Sequence, residues 1–361
     1  MTDPTEQKGT RFMKRMLPAI IVLFTVAIFI PSASFAKSKA RIRIKMATLA
    51  PRGSTMMNIV DELRAEIRKK TANEVDFKVY CGGVQGDEKD VLRKIRMKQL
   101  HGGFFTGHGL GQIVPAVRVL EIPYLYWNYG ETTYVREHLE RTLNQYFEDE
   151  GFVVMGWNEV GFVYTFSKVP ITTLEVARGL KWWVWEDDPI GRAMFKVLDI
   201  SPVPLSFTDV MTSLSTKLID TAPTTPFGAV AFRWHTRFQY MSEYPSTIAV
   251  GASIIDKDIW EKVSPQSRKT ILDVTKTYYD RLIRANREEN RKCIEILKKS
   301  GISIVPNNPN DPELQFILDA ARKARESLVG KIYPRELLDQ TLALLKEYRE
   351  NHPDSTIISV H

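Results

Sequence analysis

Apolar and polar positions alternate from Arg41 onward. In Arg41-Ile-Arg-Ile-Lys-Met46, Ile42, Ile44 and Met46 interleave with cations, the period of a strand with one buried face. A turn at Ala50-Pro-Arg-Gly53 follows. Met57, Val60, Leu63 and Ile67 then recur at helical spacing up to Thr71, with Ser54 as the N-cap. Val75, Phe77, Val79 and Cys81 alternate again, and a Gly-rich turn leads into a helix over Glu88 to Leu100. This β-α-β-α opening predicts an α/β lobe with a largely parallel sheet. Ligands in such lobes sit beyond the carboxyl ends of the strands, so Thr48 to Ser54, Gly82 to Asp87 and Phe105 to Gln112 are the loops to inspect. Thr48, Gln85 and His108 are the candidate contacts they supply.

A second α/β region begins near Gly161. Its strand candidates are Phe162 to Phe166 and Leu180 to Trp185, and Asp188-Pro189 starts a helix through Leu198 as N-cap and N1. Ile248 to Ile255 reads as a strand returning to the first lobe, and chain crossings of this kind make a hinge. From Ser264-Pro265 to Ser300-Gly301 no Gly or Pro interrupts the pattern, which predicts one helix of roughly 54 Å bracing both lobes. Its Ile271, Tyr278, Leu282, Ala285 and Cys293 hold no strict heptad, which argues against a coiled coil. The expected division is 37–160 with 247–285 as lobe I, and 161–246 with 286–361 as lobe II.

The N-terminus sets the compartment. Lys8, Arg11, Lys14 and Arg15 precede an uncharged apolar run from Met16 to Ile30, and Ser34 and Ala36 provide a small-x-small cleavage site. The run is short for a membrane span, so residues 1–36 are expected to form a cleavable signal peptide and the mature chain to be periplasmic. No Cys lies near the cleavage point to take a lipid. Two cysteines, Cys81 and Cys293, permit one bond but make no disulfide scaffold, so a packed core must supply stability. The formal charge of +7 is spread through helices that also carry acids, and no basic stripe interleaves with aromatics, which excludes a nucleic-acid surface. The absence of a Gly-x-Ser-x-Gly elbow or a His-Glu-x-x-His helix argues against a hydrolase.

Several segments together resemble the DctP-type solute-binding subunits of tripartite ATP-independent periplasmic (TRAP) transporters. They are Met46-Ala-Thr-Leu-Ala-Pro-Arg-Gly-Ser54, Val79-Tyr-Cys-Gly-Gly-Val-Gln-Gly-Asp-Glu88, Ile122-Pro-Tyr-Leu-Tyr-Trp127, Gly179-Leu-Lys181 and Pro202-Val-Pro-Leu-Ser-Phe-Thr-Asp-Val210, in the family's order. The resemblance implies a two-lobed, Venus-flytrap α/β protein that closes on a small molecule and hands it to DctQ/DctM-type integral membrane subunits. It implies no catalysis, no cofactor and no ATP hydrolysis by this subunit.

Two departures from the family pattern bear on the cargo. Where the family places an Arg that grips a carboxylate with a bidentate fork, this chain has Trp183, inside Lys181-Trp-Trp-Val-Trp-Glu186. Where an Asn commonly precedes Pro, it has Thr225 before Pro226. Trp offers an apolar face and one N–H, with no cation to offset a desolvated carboxylate, so a hydrophobic or aromatic ligand is expected. Trp-Val-Trp-Glu-Asp187 and Phe232-Arg-Trp-His235 resemble the subgroup that works with a periplasmic TPR-repeat protein (TPAT), which adds that partner. The alternatives are an organic-acid binder with a different grip, and a ligand sensor or scaffold.

Trp183 and Trp185 share one face of their strand and are expected to line the cleft. Tyr124 and Trp127 follow Pro123 where the first lobe nears the cleft, and Glu159 lies at the crossover. Thr208 and Thr225 are candidate hydroxyls at ligand positions implied by the resemblance. Thr106-Gly-His-Gly-Leu-Gly-Gln112 imitates a dinucleotide fingerprint without a helix opening at once, so its glycines are read as letting backbone approach a ligand. Glu186, Asp187 and Asp188 are consecutive and cannot all face one ion, so no metal site is expected.

Overall fold

The computed structural model describes residues 42–306 and 312–354. The signal peptide expected over 1–36 lies outside the described residues. Among those described, no helix is long and apolar enough to cross a membrane.

The chain opens with β1 (Ile42–Ala47), α1 (Thr55–Lys70), β2 (Val75–Tyr80), α2 (Glu88–Arg96) and β3 (Gly102–Thr106). The Ser54 hydroxyl caps α1 by accepting from Met57 N at 3.3 Å, and Asp87 and Asp90 form a capping box on α2. Helix α2 stops at Arg96, short of the expected Leu100, because Lys98 adopts φ 58° and turns the chain back. There follow α3 (Gly107–Gly111), a 3₁₀ turn over Pro115–Glu121, α4 (Tyr129–Asp149) and the sixteen-residue strand β4 (Phe152–Ser167). The strand expected over 162–166 is the far end of β4.

The middle of the chain contains α5 (Leu174–Arg178), β5 (Trp183–Trp185), α6 (Pro189–Leu198), β6 (Val203–Leu205), α7 (Val210–Ser215), β7 (Thr221–Thr224), α8 (Pro226–Ala231) and β8 (Tyr240–Ser242). The last part holds β9 (Thr247–Asp256), α9 (Lys257–Glu261), α10 (Pro265–Lys299), β10 (Ser303–Val305), α11 (Pro312–Ser327) and α12 (Arg335–Asn351).

Strands β2, β1 and β3 are parallel, as the opening pattern predicts, but β9 runs antiparallel to β3 and β4 antiparallel to β9. The sheet is therefore mixed, a correction to the largely parallel expectation. Its order is β10-β8-β4-β9-β3-β1-β2, with β7 also on β4, and β5 and β6 form a separate parallel pair. Two α/β lobes share β4 and β9.

The strand β4 changes register between Val154 and Gly156 and again between Glu159 and Gly161. Gly161 has φ 135°, and a Cβ there would stand 2.5 Å from Asn290 Nδ2. Asn290, on α10, donates to Val160 O at 2.8 Å and accepts from Phe227 N at 3.1 Å, so one buried amide ties the bulge to α8. The 35-residue α10 packs on α1, β4 and α8, elements from both lobes. Helix α12, within the stretch 286–361 assigned above to lobe II, packs on α4 and the 115–121 turn. Cys81 and Cys293 are both buried free thiols.

Candidate ligand-binding site

A cavity of about 320 Å³ lies between the lobes, bounded by the ends of β1 and β3, by β4 and by β5, α6 and α8. Local chain chemistry builds its aromatic wall. Strand β5 carries Trp183 and Trp185, and Phe207 and Phe232 pack beside them. Trp183 lies 5.4 Å from Trp185 and 5.5 Å from Trp234, while Phe207 stacks on Trp185 at 5.4 Å and meets Phe232 edge-on at 4.7 Å. Such offset and edge-on pairs add to the area they bury. Trp183 is 2% exposed and spends its N–H on Leu205 O at 3.1 Å, so it is core as much as wall. Trp182 also reaches the cavity, donating to Ala177 O at 2.7 Å.

The polar end is a buried charge group absent from the candidates drawn from sequence. Arg118 Nε lies 2.9 Å from a Glu121 carboxylate oxygen, and its NH2 lies 3.0 Å from Asp188 Oδ1. Burial alone would lower the Arg118 pKa, but Asp188 and Glu121 outweigh it and hold the guanidinium charged. Burial raises the Glu121 carboxyl against the pull of Arg118. Asp188 also caps α6, accepting from Ile190 N and Gly191 N at 3.2 Å each. The one arginine on the cavity wall is thus already matched by two carboxylates.

Glu88 lies in the same wall, accepting from Thr106 N (2.6 Å), Thr106 Oγ1 (2.7 Å) and Gly109 N (2.8 Å). Burial outweighs these bonds and pushes its carboxyl up to about 8. His108 stacks on Trp185 at 4.3 Å; burial, helped by Arg118, pushes its pKa down to about 4, so the ring is neutral near pH 7.

These groups explain the glycine loop. Helix α3 opens at Gly107 itself, a correction to the expectation that no helix starts there. A Cβ at Gly107 would run into the Glu121 carboxyl, and one at Gly109 would stand 2.5 Å from Glu88 Oε2. The glycines make room for buried carboxylates rather than for a ligand.

Of the sequence candidates, Trp183, Trp185, Thr225, Tyr124, His108 and Thr48 lie on the cavity wall. Two of their hydroxyls are committed locally: Thr225 Oγ1 caps α8 by accepting from Gly228 N at 3.0 Å, and Thr48 Oγ1 accepts from Ala50 N at 3.1 Å. Four candidates lie elsewhere. Glu159 is 1% exposed and turns to α10, where Arg287 grips both oxygens at 2.7 Å. Gln85 accepts from Lys94 at 3.1 Å, and Thr208 pairs with Ser206 at 2.9 Å near the rim. Trp127 sits under the Arg349 guanidinium of α12, 3.7 Å from its ring centre.

Contacts that cross the cleft include Asp87 Oδ2 accepting from Phe207 N at 2.7 Å, Lys89 pairing with Asp187 at 2.7 Å, and Arg118 pairing with Asp188. Glu186 and Asp187 face Lys89, and among the described residues no group of three or more His, Cys, Asp or Glu could hold a metal ion. Besides Arg118 Nε, which faces Glu121 as an ion pair without an aligned hydrogen bond, the unpartnered groups of the cavity are neutral. His108 Nδ1 and Asn158 Oδ1 are buried without a hydrogen-bond partner.

Comparison with known proteins places this geometry. The family model described as bacterial extracellular solute-binding protein, family 7 (DctP) matches residues 46–332. The 2,3-diketo-L-gulonate-binding periplasmic protein YiaO of Escherichia coli is 23% identical over 254 residues, 66% of this chain and 73% of that protein. The sialic acid-binding periplasmic protein SiaP of Vibrio cholerae is 21% identical over 286 residues, 78% of this chain and 87% of that protein. Among solved structures, the sugar acid binding protein of Advenella mimigardefordensis in complex with galactonate superposes with TM-score 0.79 at 17% identity, covering 86% of this chain and 100% of that one. A TRAP periplasmic solute-binding protein of Desulfovibrio salexigens with bound orotic acid gives TM-score 0.75 at 17% identity, covering 86% and 99%.

Proposed function

Because the chain belongs to the DctP family of bacterial extracellular solute-binding proteins, we propose that it captures a neutral, largely apolar or aromatic small molecule between its lobes and delivers it to TRAP membrane subunits. One observation carries this reading: the cavity wall is aromatic, and its one arginine is already matched by Glu121 and Asp188. A carboxylate entering there would meet no uncompensated cation, and burying an unpaired charge costs several kcal/mol. Asn158 Oδ1 and His108 Nδ1 suit a hydroxyl or amide instead.

A second reading is an organic-acid binder in which Arg118 leaves Asp188 to grip the ligand. The named relatives and structures that carry sugar acids and orotic acid favour it. Titration calorimetry with 1-octanol and indole against galactonate and orotate separates the two. Binding of the neutral probes and silence toward the acids supports the first; the reverse overturns it.

The proposal includes a periplasmic location after removal of 1–36, with 37–160 and 247–285 as lobe I and 161–246 as the body of lobe II. The packing of α12 on α4 supports placing that helix with lobe I. The segments at 183–187 and 232–235 support the TPAT subgroup, and co-purification of a TPR-repeat protein from the native periplasm tests it.

A further inference from the structure

A second cavity, about 300 Å³ in volume, lies directly behind the first. Four side chains, Tyr124, Thr165, Trp182 and Leu198, line both cavities and form the partition between them. Ile171, Leu174, Ile317 and Leu318 add apolar surface on the far side. Several of the polar groups there are occupied by local structure. Ser167 Oγ donates to Val169 O at 2.6 Å, Ser242 Oγ donates to Tyr244 O at 3.0 Å, Thr173 caps α5 by accepting from Val176 N at 3.2 Å, and Glu313 accepts from Leu174 N at 2.6 Å. An occupant of this chamber is therefore rewarded for apolar surface and little else.

Tyr124 is the member of the partition with an unanchored polar end. It sits on a loop with φ 54°, held by its N–H donating to Ser246 O at 2.7 Å, and among the described residues no hydrogen bond fixes its hydroxyl. A swing of its ring would join the chambers while leaving that hydroxyl available to a ligand passing beside it.

We infer that the two chambers form one elongated site, taking a ligand whose hydrogen-bonding head lies by His108 and Asn158 and whose unbranched apolar tail passes Tyr124 into the second chamber. This rests on the apolar-ligand reading above and adds a shape to it. Each chamber holds about ten water-sized groups, taking roughly 30 Å³ for each.

The test is calorimetric titration of the full mature chain with 1-alkanols of about six to fourteen carbons. Burial of each methylene tightens binding about threefold to fourfold. Continued tightening beyond about ten carbons, the length that fills the first chamber, is the expected result. Ile317→Trp, which fills the second chamber, should leave the shortest alcohols unchanged and abolish the gain beyond about ten carbons. Affinity that levels off near ten carbons in the wild type, or an Ile317→Trp variant that follows the wild type throughout, overturns the elongated site and leaves the apolar reading intact. Failure of every alcohol alongside binding of galactonate or orotate overturns both. Should the variant not fold, the wild-type series still decides.

Discussion

Truncating Trp183 and Trp185 separately tests how the aromatic wall divides its work between folding and binding. Trp183 is 2% exposed, packs on Trp185, Phe207 and Trp234, and donates its N–H to Leu205 O. Replacing it by Ala leaves a large hole and an unpaired carbonyl, which together cost about 3–5 kcal/mol of stability. Trp185 is only partly buried, and its ring is stacked between His108 at 4.3 Å and Phe207 at 5.4 Å. A ligand covering about 60 Å² of that ring gains roughly 1.5 kcal/mol at about 25 cal/mol per Å², so Trp185→Ala weakens binding about tenfold. Its stability loss should be smaller, about 1–3 kcal/mol. Urea unfolding gives the stabilities, and calorimetry with 1-octanol gives the affinities. The reasoning fails if Trp183→Ala stays within about 1 kcal/mol of wild type while losing octanol, with Trp185→Ala showing the opposite.

Other perturbations follow from the buried charges. Arg118→Met strands the Glu121 and Asp188 carboxylates and should cost about 3–5 kcal/mol in urea unfolding; restoration by the added exchange Glu121→Gln would identify the stranded charge as the cause. Glu88, raised from 4.5 to about 8, holds its proton in the folded state at pH values where the unfolded chain has lost it. Its contribution therefore falls as pH rises from about 4.5 to 8, by at most about 1.4 kcal/mol per pH unit, and Glu88→Gln should remove that descent from a stability-against-pH series. Lys89→Ala breaks only the exposed contacts to Asp187 and Glu186 and should change stability by less than about 1 kcal/mol, as read by thermal melting.

Most of the framework was legible because local signals agree with the fold. Ser54, Asp188 and Ser264 cap the helices they precede in sequence, and β9 returns where Ile248 to Ile255 predicts. Lobe sharing was less legible, since antiparallel placement of β4 and β9 is a tertiary choice that alternation along one strand cannot express. The tryptophans announced the aromatic wall, but the charge group did not announce itself. Arg118 meets Asp188 only when the 115–121 turn and the start of α6 come together across the cleft. The available signal was Arg118 and Glu121 three apart in the otherwise apolar run Ile113 to Ile122. Glu159, placed at the crossover either to orient the ligand or to tie the hinge, has a partner that sequence does not reveal, Arg287, 128 residues away. The left-handed Tyr124 sits on the partition, while Trp127, also on the wall of the second cavity, lies under Arg349 of α12, a partner that adjacency in sequence does not reveal.

The most direct test of an apolar cargo in a family 7 fold is mass spectrometry of the small molecule that travels with the protein when it is purified natively from its own periplasm. A neutral compound with a long or aromatic apolar body and a single hydroxyl or amide end is the expected result. A sugar acid or other small carboxylate, bound in one-to-one ratio, would contradict it.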